Sequence, residues 1–352
     1  MTENLERPRG ENIKILVTGA TGFAGTSVTR ELVKQGCKVY AIARDEQKLR
    51  RLLGSDDADR VSILKGDLLV SADLENLKNQ LENMVGNLDV VVHTVGGGPL
   101  TSNRAFAPSI SDLNYKTTRN LVSILEGSQK LRSLRLFLYF SSLAAMGIPK
   151  ASGDRILYNE TSACNPVLPY EQAKFETESY LKELANQHRF KTVVLRLPQI
   201  YGGPDDALMQ MVKLIQRGVF PVVRGRIGSL PLINIRDVVN ATCAVIRNVD
   251  KIQESYDVHL LSEGSYSYNQ LVDLVRTKYG RGGMLKIPYS LLYLAISMME
   301  AVFWLVGKPE PLNRRRLISL TKDRIVDSSK FMNAFEFKFE ENVRSFIAGQ
   351  PS

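Results

Sequence analysis

The chain has 352 residues, 44% of them hydrophobic and 24% charged. These proportions are those of folded globular proteins and exclude disorder, collagen-like repeats and coiled coil as the main state. The net charge of +9 points to anionic partners such as a phosphorylated ligand or an anionic membrane face. No basic run interleaved with aromatics and no zinc-finger spacing supports nucleic acid. Cys37, Cys164 and Cys243 are too few and too scattered for a disulfide framework, and none lies in a CxxC pair. His93, His188 and His259 show no HExxH spacing, which disfavours a catalytic metal. A reducing compartment fits the cysteine usage. Residues 1–12 are polar and lack the apolar core of a signal peptide, so a cytoplasmic protein is expected.

Residues 13–18 are a short apolar run, expected as a buried parallel strand. A glycine-rich turn follows, then a helical pattern over 26–35 that Gly36 ends. Further strands are expected at 39–43, 61–65, 88–93, 134–140 and 192–197, with helices at 113–126 and 170–187. The segment 94–99, which includes Gly98 and Pro99, reads as loop. Strands alternating with helices imply βαβ crossovers, hence an α/β class with a doubly wound parallel sheet of Rossmann type. From about residue 200 the alternation loosens, and glycine and proline recur (Gly202, Gly203, Pro204, Pro221, Gly225, Gly228, Pro231). Residues 1–200 are read as the sheet domain, with strand returns after 230. Residues 201–352 are read mainly as a smaller substrate-binding portion.

Residues 287–306 differ from the rest, with Glu300 as their single charge and Gly307-Lys308-Pro309 at their end. Roughly 20 apolar residues can cross a bilayer, but Pro288 and Glu300 weigh against a span. A lid helix over an apolar pocket and an interfacial helix on a membrane both remain open. Arg314, Arg315 and Arg316 follow, where anionic head groups could meet them or where they form a solvated face.

Three motifs carry chemistry. In Thr18-Gly19-Ala20-Thr21-Gly22-Phe23-Ala24-Gly25, directly after the first strand, Gly19 permits a tight turn. Gly22 lets the backbone approach a pyrophosphate, and Gly25 allows close helix–strand packing. The helix N-terminus then offers free N–H groups and a positive dipole end to phosphates. NAD sites usually end the second strand with an acid that holds the ribose 2′-hydroxyl. Here that place holds Ala43, followed by Arg44, which would pair with a 2′-phosphate. NADP is therefore expected, with NAD as the alternative. Asp67, after the third strand, is placed to accept from an adenine amino group, against the plain alternative of a turn-forming Asp after Gly66. Lastly, Tyr170 and Lys174 lie one helical turn apart and share a face. A phenol titrating near pH ~10 is a poor base at neutrality, and a nearby ammonium stabilises its phenolate. The same lysine can hold the nicotinamide ribose. Upstream, a strand ends in Ser141-Ser142, whose hydroxyls can bind a reacting carbonyl.

With these motifs in order, the chain resembles an extended short-chain dehydrogenase/reductase of the NAD-dependent epimerase/dehydratase superfamily. The resemblance runs from Ile13 to about Arg344. It rests on the glycine turn, Asp67, His93-Thr94, Asn114-Tyr115-Lys116-Thr117-Thr118-Arg119-Asn120, Ser-Ser before Leu143-Ala144-Ala145-Met146-Gly147, and Tyr170…Lys174. It implies Ser142 as the group that binds the substrate oxygen, Tyr170 as acid/base and Lys174 as its electrostatic partner. It also implies Asn114 as support for a proton relay through water, against the plain alternative of a helix-capping asparagine. It implies cofactor contacts at Gly19, Thr21, Gly22, Phe23, Gly25, Arg44, Asp67, Leu68, Thr94, Tyr170, Lys174 and Pro198, with Pro198 flanking the carboxamide. Asp237 resembles a structural acid. The family commonly forms dimers, so a homodimer is one expected state.

Sugar-nucleotide epimerases and dehydratases share these motifs. Many carry an asparagine where this chain has Gln199, and an arginine gripping the diphosphate where it has Leu230. Losing a fixed cation for a dianion is a large loss, although Arg224 or Arg226 could compensate. The apolar segment 287–306 and Lys308-Pro309-Glu310-Pro311-Leu312 are similar to the 3β-hydroxysteroid dehydrogenase and sterol-4-carboxylate dehydrogenase branch. The expectation is an NAD(P)-dependent oxidoreductase. It would move a hydride between nicotinamide and a carbinol or ketone carbon of a lipophilic small molecule: sterol-like, isoprenoid or long-chain keto. The alternatives are a sugar-nucleotide epimerase or dehydratase with tightly held NAD, and a non-catalytic dinucleotide-binding scaffold or sensor. The last would usually lack the tyrosine or the lysine.

Overall fold

Near-continuous apolar runs such as Ile15-Leu16-Val17 and Val90-Val91-Val92 are what strands covered on both faces require. The computed structural model describes residues 13–97, 109–149, 153–203, 206–226, 228–306 and 314–350. Gly98, Pro99, Pro204 and residues 307–312 lie outside the described residues, as do the side chains of Arg315 and Arg316. In chain order the strands are β1 (Lys14–Thr18), β2 (Lys38–Ala43), β3 (Val61–Lys65), β4 (Val90–His93), β5 (Leu136–Ser142), β6 (Arg155–Tyr158) and β7 (Lys191–Leu197). They continue as β8 (Gln199–Tyr201), β9 (Phe220–Val223), β10 (Ser229–Asn234), β11 (Tyr256–Leu260), β12 (Gly264–Ser267), β13 (Met284–Ile287) and β14 (Asp323–Val326). The helices are α1 (Phe23–Lys34), α2 (Glu46–Leu53), α3 (Ser55–Ala58), α4 (Ser71–Met84), α5 (Thr117–Gly127), α6 (Pro169–Gln187) and α7 (Ala207–Gln216). After them come α8 (Ile235–Arg247), α9 (Tyr268–Tyr279), α10 (Tyr289–Val306), α11 (Arg314–Leu320), α12 (Ser329–Ala334) and α13 (Val343–Ala348).

The main sheet has seven strands in the order β11-β7-β5-β4-β1-β2-β3, and every pair in it is parallel. It is a doubly wound Rossmann-like α/β sheet. One face packs on α1 and α8 and on Phe331, Phe335 and Phe337 from the C-terminal part. The other packs on α4, α5 and α6 through Leu77, Leu81, Leu121, Leu125, Leu181 and Leu184. The strand order reverses between β1 and β4, and the carboxyl ends there form the crevice where such sheets bind ligands. A separate core joins Tyr201, Leu208, Val212 and Ile215 to Leu271, Val275, Val343 and Ile347. The chain beyond residue 200 thus contributes both to this second core and, through α8 and β11, to the sheet layer.

Several boundaries differ from expectation, each for a local reason. The first helix opens at Phe23 rather than 26, because Gly22 already serves as its N-cap. The fifth strand runs on to Ser142, so both serines belong to the strand end. The helix expected at 113–126 begins with a π-helical turn, Asp112–Lys116. Ile287 closes β13, and the apolar helix starts only after Pro288. Among the described residues no helix is long and apolar enough to cross a membrane.

Candidate active site

The glycine turn makes a cradle that only small residues allow. Gly19 has φ +75°, a region L side chains rarely adopt. A Cβ on Gly25 would stand 2.2 Å from Gly19 O, so this position is closed to any side chain. No side chain caps α1 and its first turn holds no acid. The opening turn of such a helix keeps unsatisfied N–H groups and a positive dipole end. Phe23 is exposed, with its ring against Gly203, and Thr21 is half-buried at the turn. Thr94 Oγ1 donates to Thr18 O (2.8 Å), joining the ends of β1 and β4 behind the cradle.

At the end of β2, Arg44 is 67% exposed and lies 3.4 Å from the Asp67 carboxylate. The next acid, Asp45, is engaged as the N-cap of α2, accepting from Lys48 N. Asp67 Oδ1 also accepts from Leu69 N (2.9 Å). Leu68 turns its side chain into the core, and its carbonyl accepts from Asn120.

The wall opposite is built by β5 and α6. Lys174 is buried, and its ammonium donates to Phe140 O (2.9 Å) and Tyr139 Oη (3.0 Å). Burial pulls its pKa down to about 7, against the field of Glu178. Tyr170 stands one turn earlier. Burial raises its phenol pKa, and a hydrogen bond with Ser142 opposes that rise. Ser142 Oγ also accepts from Ala144 N (3.2 Å). The structure thus brings Ser142, Tyr170 and Lys174 together.

Asn114 joins them from the π-helical turn. It is fully buried, and its Nδ2 donates to Ile110 O (2.8 Å). Its Oδ1 has no partner among the described residues, and it lies inside the turn rather than capping a helix. A Cβ on Gly96 would lie 2.7 Å from Asn114 Oδ1 and 2.9 Å from Lys174 Nζ, so both side chains close on the Gly96 backbone and leave no room for a side chain there. A buried acceptor without a donor calls for one. His93 is buried between Thr18 Oγ1 (2.6 Å) and Thr118 Oγ1 (2.9 Å). Burial, then the Lys174 charge, pushes its pKa down to about 3, so it is neutral. Pro198 is half-buried between β7 and β8.

These residues fit a dinucleotide. The closed glycine cradle would hold the pyrophosphate, Arg44 or Asp67 the adenosine side, and Tyr170, Lys174 and Asn114, whose Oδ1 lacks a partner among the described residues, would face the reactive end. Gly96, Tyr139, Glu178 and Arg196 belong to this wall, and the sequence alone assigns them no contact with Lys174 or Asn114. Glu178 lies four residues after Lys174, a spacing that could have flagged it.

In the part of the chain after residue 200, Leu230 sits in β10 paired with Tyr266 of β12, and offers no cation. Arg226 pairs with Asp154 (3.1 Å). Arg224 is exposed beside the end of β13, its N–H donating to Ile287 O. Asp237 is buried and accepts from the N–H groups of Glu340 and Glu341, a structural role. α10 packs Ile296 and Leu292 against Val223 and Leu317. Its other face exposes Leu291, Leu294, Met298, Val302 and Leu305. Its one acid, Glu300, is turned to Arg314 (2.6 Å).

Comparison with known proteins adds a family. The model of the NAD dependent epimerase/dehydratase family matches residues 15–260. The chain is 24% identical to a sterol-4-alpha-carboxylate 3-dehydrogenase (decarboxylating) of Dictyostelium discoideum over 325 residues, 90% of each protein. It is 25% identical over 299 residues to a chloroplastic divinyl chlorophyllide a 8-vinyl-reductase of Cucumis sativus, covering 84% of this chain and 64% of that one. A crystal structure of a Thermus thermophilus UDP-glucose 4-epimerase with NAD superposes with a TM-score of 0.68 at 15% identity, covering 96% of this chain and 97% of that one, a likeness of fold.

Proposed function

Because the chain belongs to the NAD-dependent epimerase/dehydratase family, we propose that it is a dehydrogenase or reductase acting at one carbinol or ketone carbon of a lipophilic small molecule. The observation that carries this reading is the Ser142–Tyr170–Lys174 wall with Asn114 beside it. A nicotinamide held there would supply or accept the hydride. In reduction, Tyr170 Oη gives its proton to the substrate oxygen, which Ser142 Oγ holds by a hydrogen bond. Lys174 stabilises the phenolate that results. The Asn114 carboxamide, with its free oxygen, supports the return of that proton. A phenol raised by burial stays protonated at neutral pH, which suits the acid role.

Arg44 supports NADP over NAD: it is exposed at the end of β2, where Asp45 already accepts from Lys48 N and Asp67 pairs with Arg44 itself. Leu230 and the exposed face of α10 support a lipophilic substrate over a sugar diphosphate. That face is proposed to rest on a membrane surface, with residues 201–352 mainly forming the substrate side. Arg224 and Lys286, exposed at its root, would meet anionic head groups.

The test begins with purified protein checked for retained nucleotide, then titrated with NADPH and NADH by fluorescence. NADPH should bind more tightly, and Arg44→Ala should remove most of that preference, about tenfold or more for one charge-assisted contact. Turnover is then sought among lipophilic ketones. NAD retained through purification, together with binding of uridine diphosphate, would overturn the reading in favour of a sugar-nucleotide epimerase or dehydratase.

A further inference from the structure

Behind the wall lies a charged pair that the proton transfer does not touch. Glu178 stands one turn beyond Lys174 on α6, as Lys174 stands one turn beyond Tyr170, so the three share a face. The Glu178 carboxylate accepts from Arg196 of β7 at Nη2 (2.7 Å) and Nε (3.1 Å). It also accepts from Ser141 Oγ at the end of β5 (2.5 Å). Ser141 and Arg196 are partners in strand register. The two charged side chains are 3% and 8% exposed.

A buried ion pair is weak evidence for stability, because a well-packed apolar replacement is often as stable. The neighbours give this one a different purpose. We propose that Glu178, held in place by Arg196, is a positioning residue for the candidate acid/base pair: bound to Ser141, the strand residue next to the Phe140 carbonyl that holds the Lys174 ammonium, it acts through that lysine.

The groups that face Lys174 support this. From β4 comes His93, neutral through burial. From β5 comes Tyr139, whose hydroxyl takes one ammonium hydrogen and whose own pKa burial raises. α6 supplies Tyr170 and Glu178, and β7 supplies Arg196. Tyr256 of β11 and Cys164 lie further out around Glu178 and Arg196, both kept neutral by burial. Asn114 carries no charge. Of these groups, Glu178 is the one whose field favours the lysine proton. Arg196 fixes the carboxylate with two donors, at the cost of a second cation in the same layer.

The inference rests on reading Lys174 as the partner of Tyr170, but its test needs no substrate and no turnover. In the full-length protein labelled with [13Cε]lysine, the Lys174 resonance is assigned by its loss in Lys174→Arg and followed with pH by NMR. Glu178→Gln leaves Arg196 uncompensated and should lower the Lys174 midpoint by about one unit or more. Arg196→Met leaves the carboxylate alone beside the lysine and should raise it. Loosened packing would move both variants the same way, so equal signs, or no movement in either, overturn the proposal. Should a single variant fail to fold, Glu178→Gln with Arg196→Met removes the pair without stranding a charge. Its midpoint should fall between those of the wild type and Glu178→Gln, and an unmoved midpoint there also overturns the proposal. If instead Tyr170→Phe kept its turnover, the acid/base reading would fall while the lysine titration stood.

Discussion

At the carboxyl ends of β1, β4 and β5, polar groups are buried; along α10, apolar groups are exposed. Thr18, His93, Asn114, Thr118, Lys174 and Glu178 are all at most 4% exposed, and nearly all their polar atoms are matched within the chain. Leu291, Leu294, Met298, Val302 and Leu305 are all more than half exposed. Both depart from the rule that burial follows polarity, and such departures mark function more often than an ordinary core does. The difference lies in what completes them. In the polar wall Asn114 Oδ1 is left without a partner among the described residues, beside the Gly96 backbone, and a small polar ligand is its proposed partner. The apolar face is left uncovered by the described residues, and its proposed cover is an extended apolar surface.

The sharpest break of the first region is Tyr170→Phe. It removes one hydroxyl from an otherwise intact wall. Turnover of the eventual substrate should fall about 10²–10⁴-fold, the usual worth of a positioned acid/base. Dinucleotide fluorescence titration should give nearly the wild-type affinity. Retained turnover would remove Tyr170 from the chemistry, and lost cofactor binding would make the change structural rather than catalytic.

The polar wall was also the more legible region, and the reason is locality. The glycine turn and the Tyr170–Lys174 pair are encoded by spacing within eight residues or fewer, and one helix or turn converts spacing directly into geometry. The seven-strand sheet was legible too, because each buried parallel strand is an unbroken apolar run. The contacts of Tyr139 with Lys174 and of Arg196 with Glu178 are not legible in the sequence, because they form only through the register of β5 and β7. The π-helical turn that sets Asn114 is a backbone adjustment without a side-chain pattern. On α10 the sequence is apolar on every side, so no periodicity tells the face on Val223 and Leu317 from the face left open.

The second region is broken by charge. In a vesicle sedimentation assay with anionic lipid, the full-length protein should sediment with the lipid. Leu294→Glu combined with Met298→Glu should weaken that binding about 10²-fold or more, since two apolar side chains lose their burial and two acids meet an anionic surface. Wild-type protein that stays with the supernatant would exclude the membrane. If it then proved dimeric by sedimentation velocity, with the double variant monomeric, the cover on α10 would be a second copy.

The pH dependence sharpens the first region. Lys174 has its pKa drawn from the ordinary lysine range down to about 7, chiefly by burial. Its ammonium is therefore present below that pH and lost as pH rises through it. The kcat/KM for reduction, which reports the free protein, should fall above about pH 7, approaching tenfold per unit. A profile flat to pH 9 would show that Lys174 keeps its proton or is not needed.

The smallest effect separates the two regions most directly, because it concerns stability alone. A side chain that this chain's own fold needs should cost free energy when shortened, while one kept for a partner should not. Leu77, fully buried under β3 on α4, should cost about 2–5 kcal/mol as Leu77→Ala. Met298 is 63% exposed, and Met298→Ser should stay within about 0.5 kcal/mol of wild type in urea unfolding without lipid. Anionic vesicles should then protect the wild type more than Met298→Ser, since a ligand stabilises only the form that binds it. If Met298→Ser were as costly as Leu77→Ala without lipid, the outward face of α10 would belong to the protein's own core, and its exposure would need no partner.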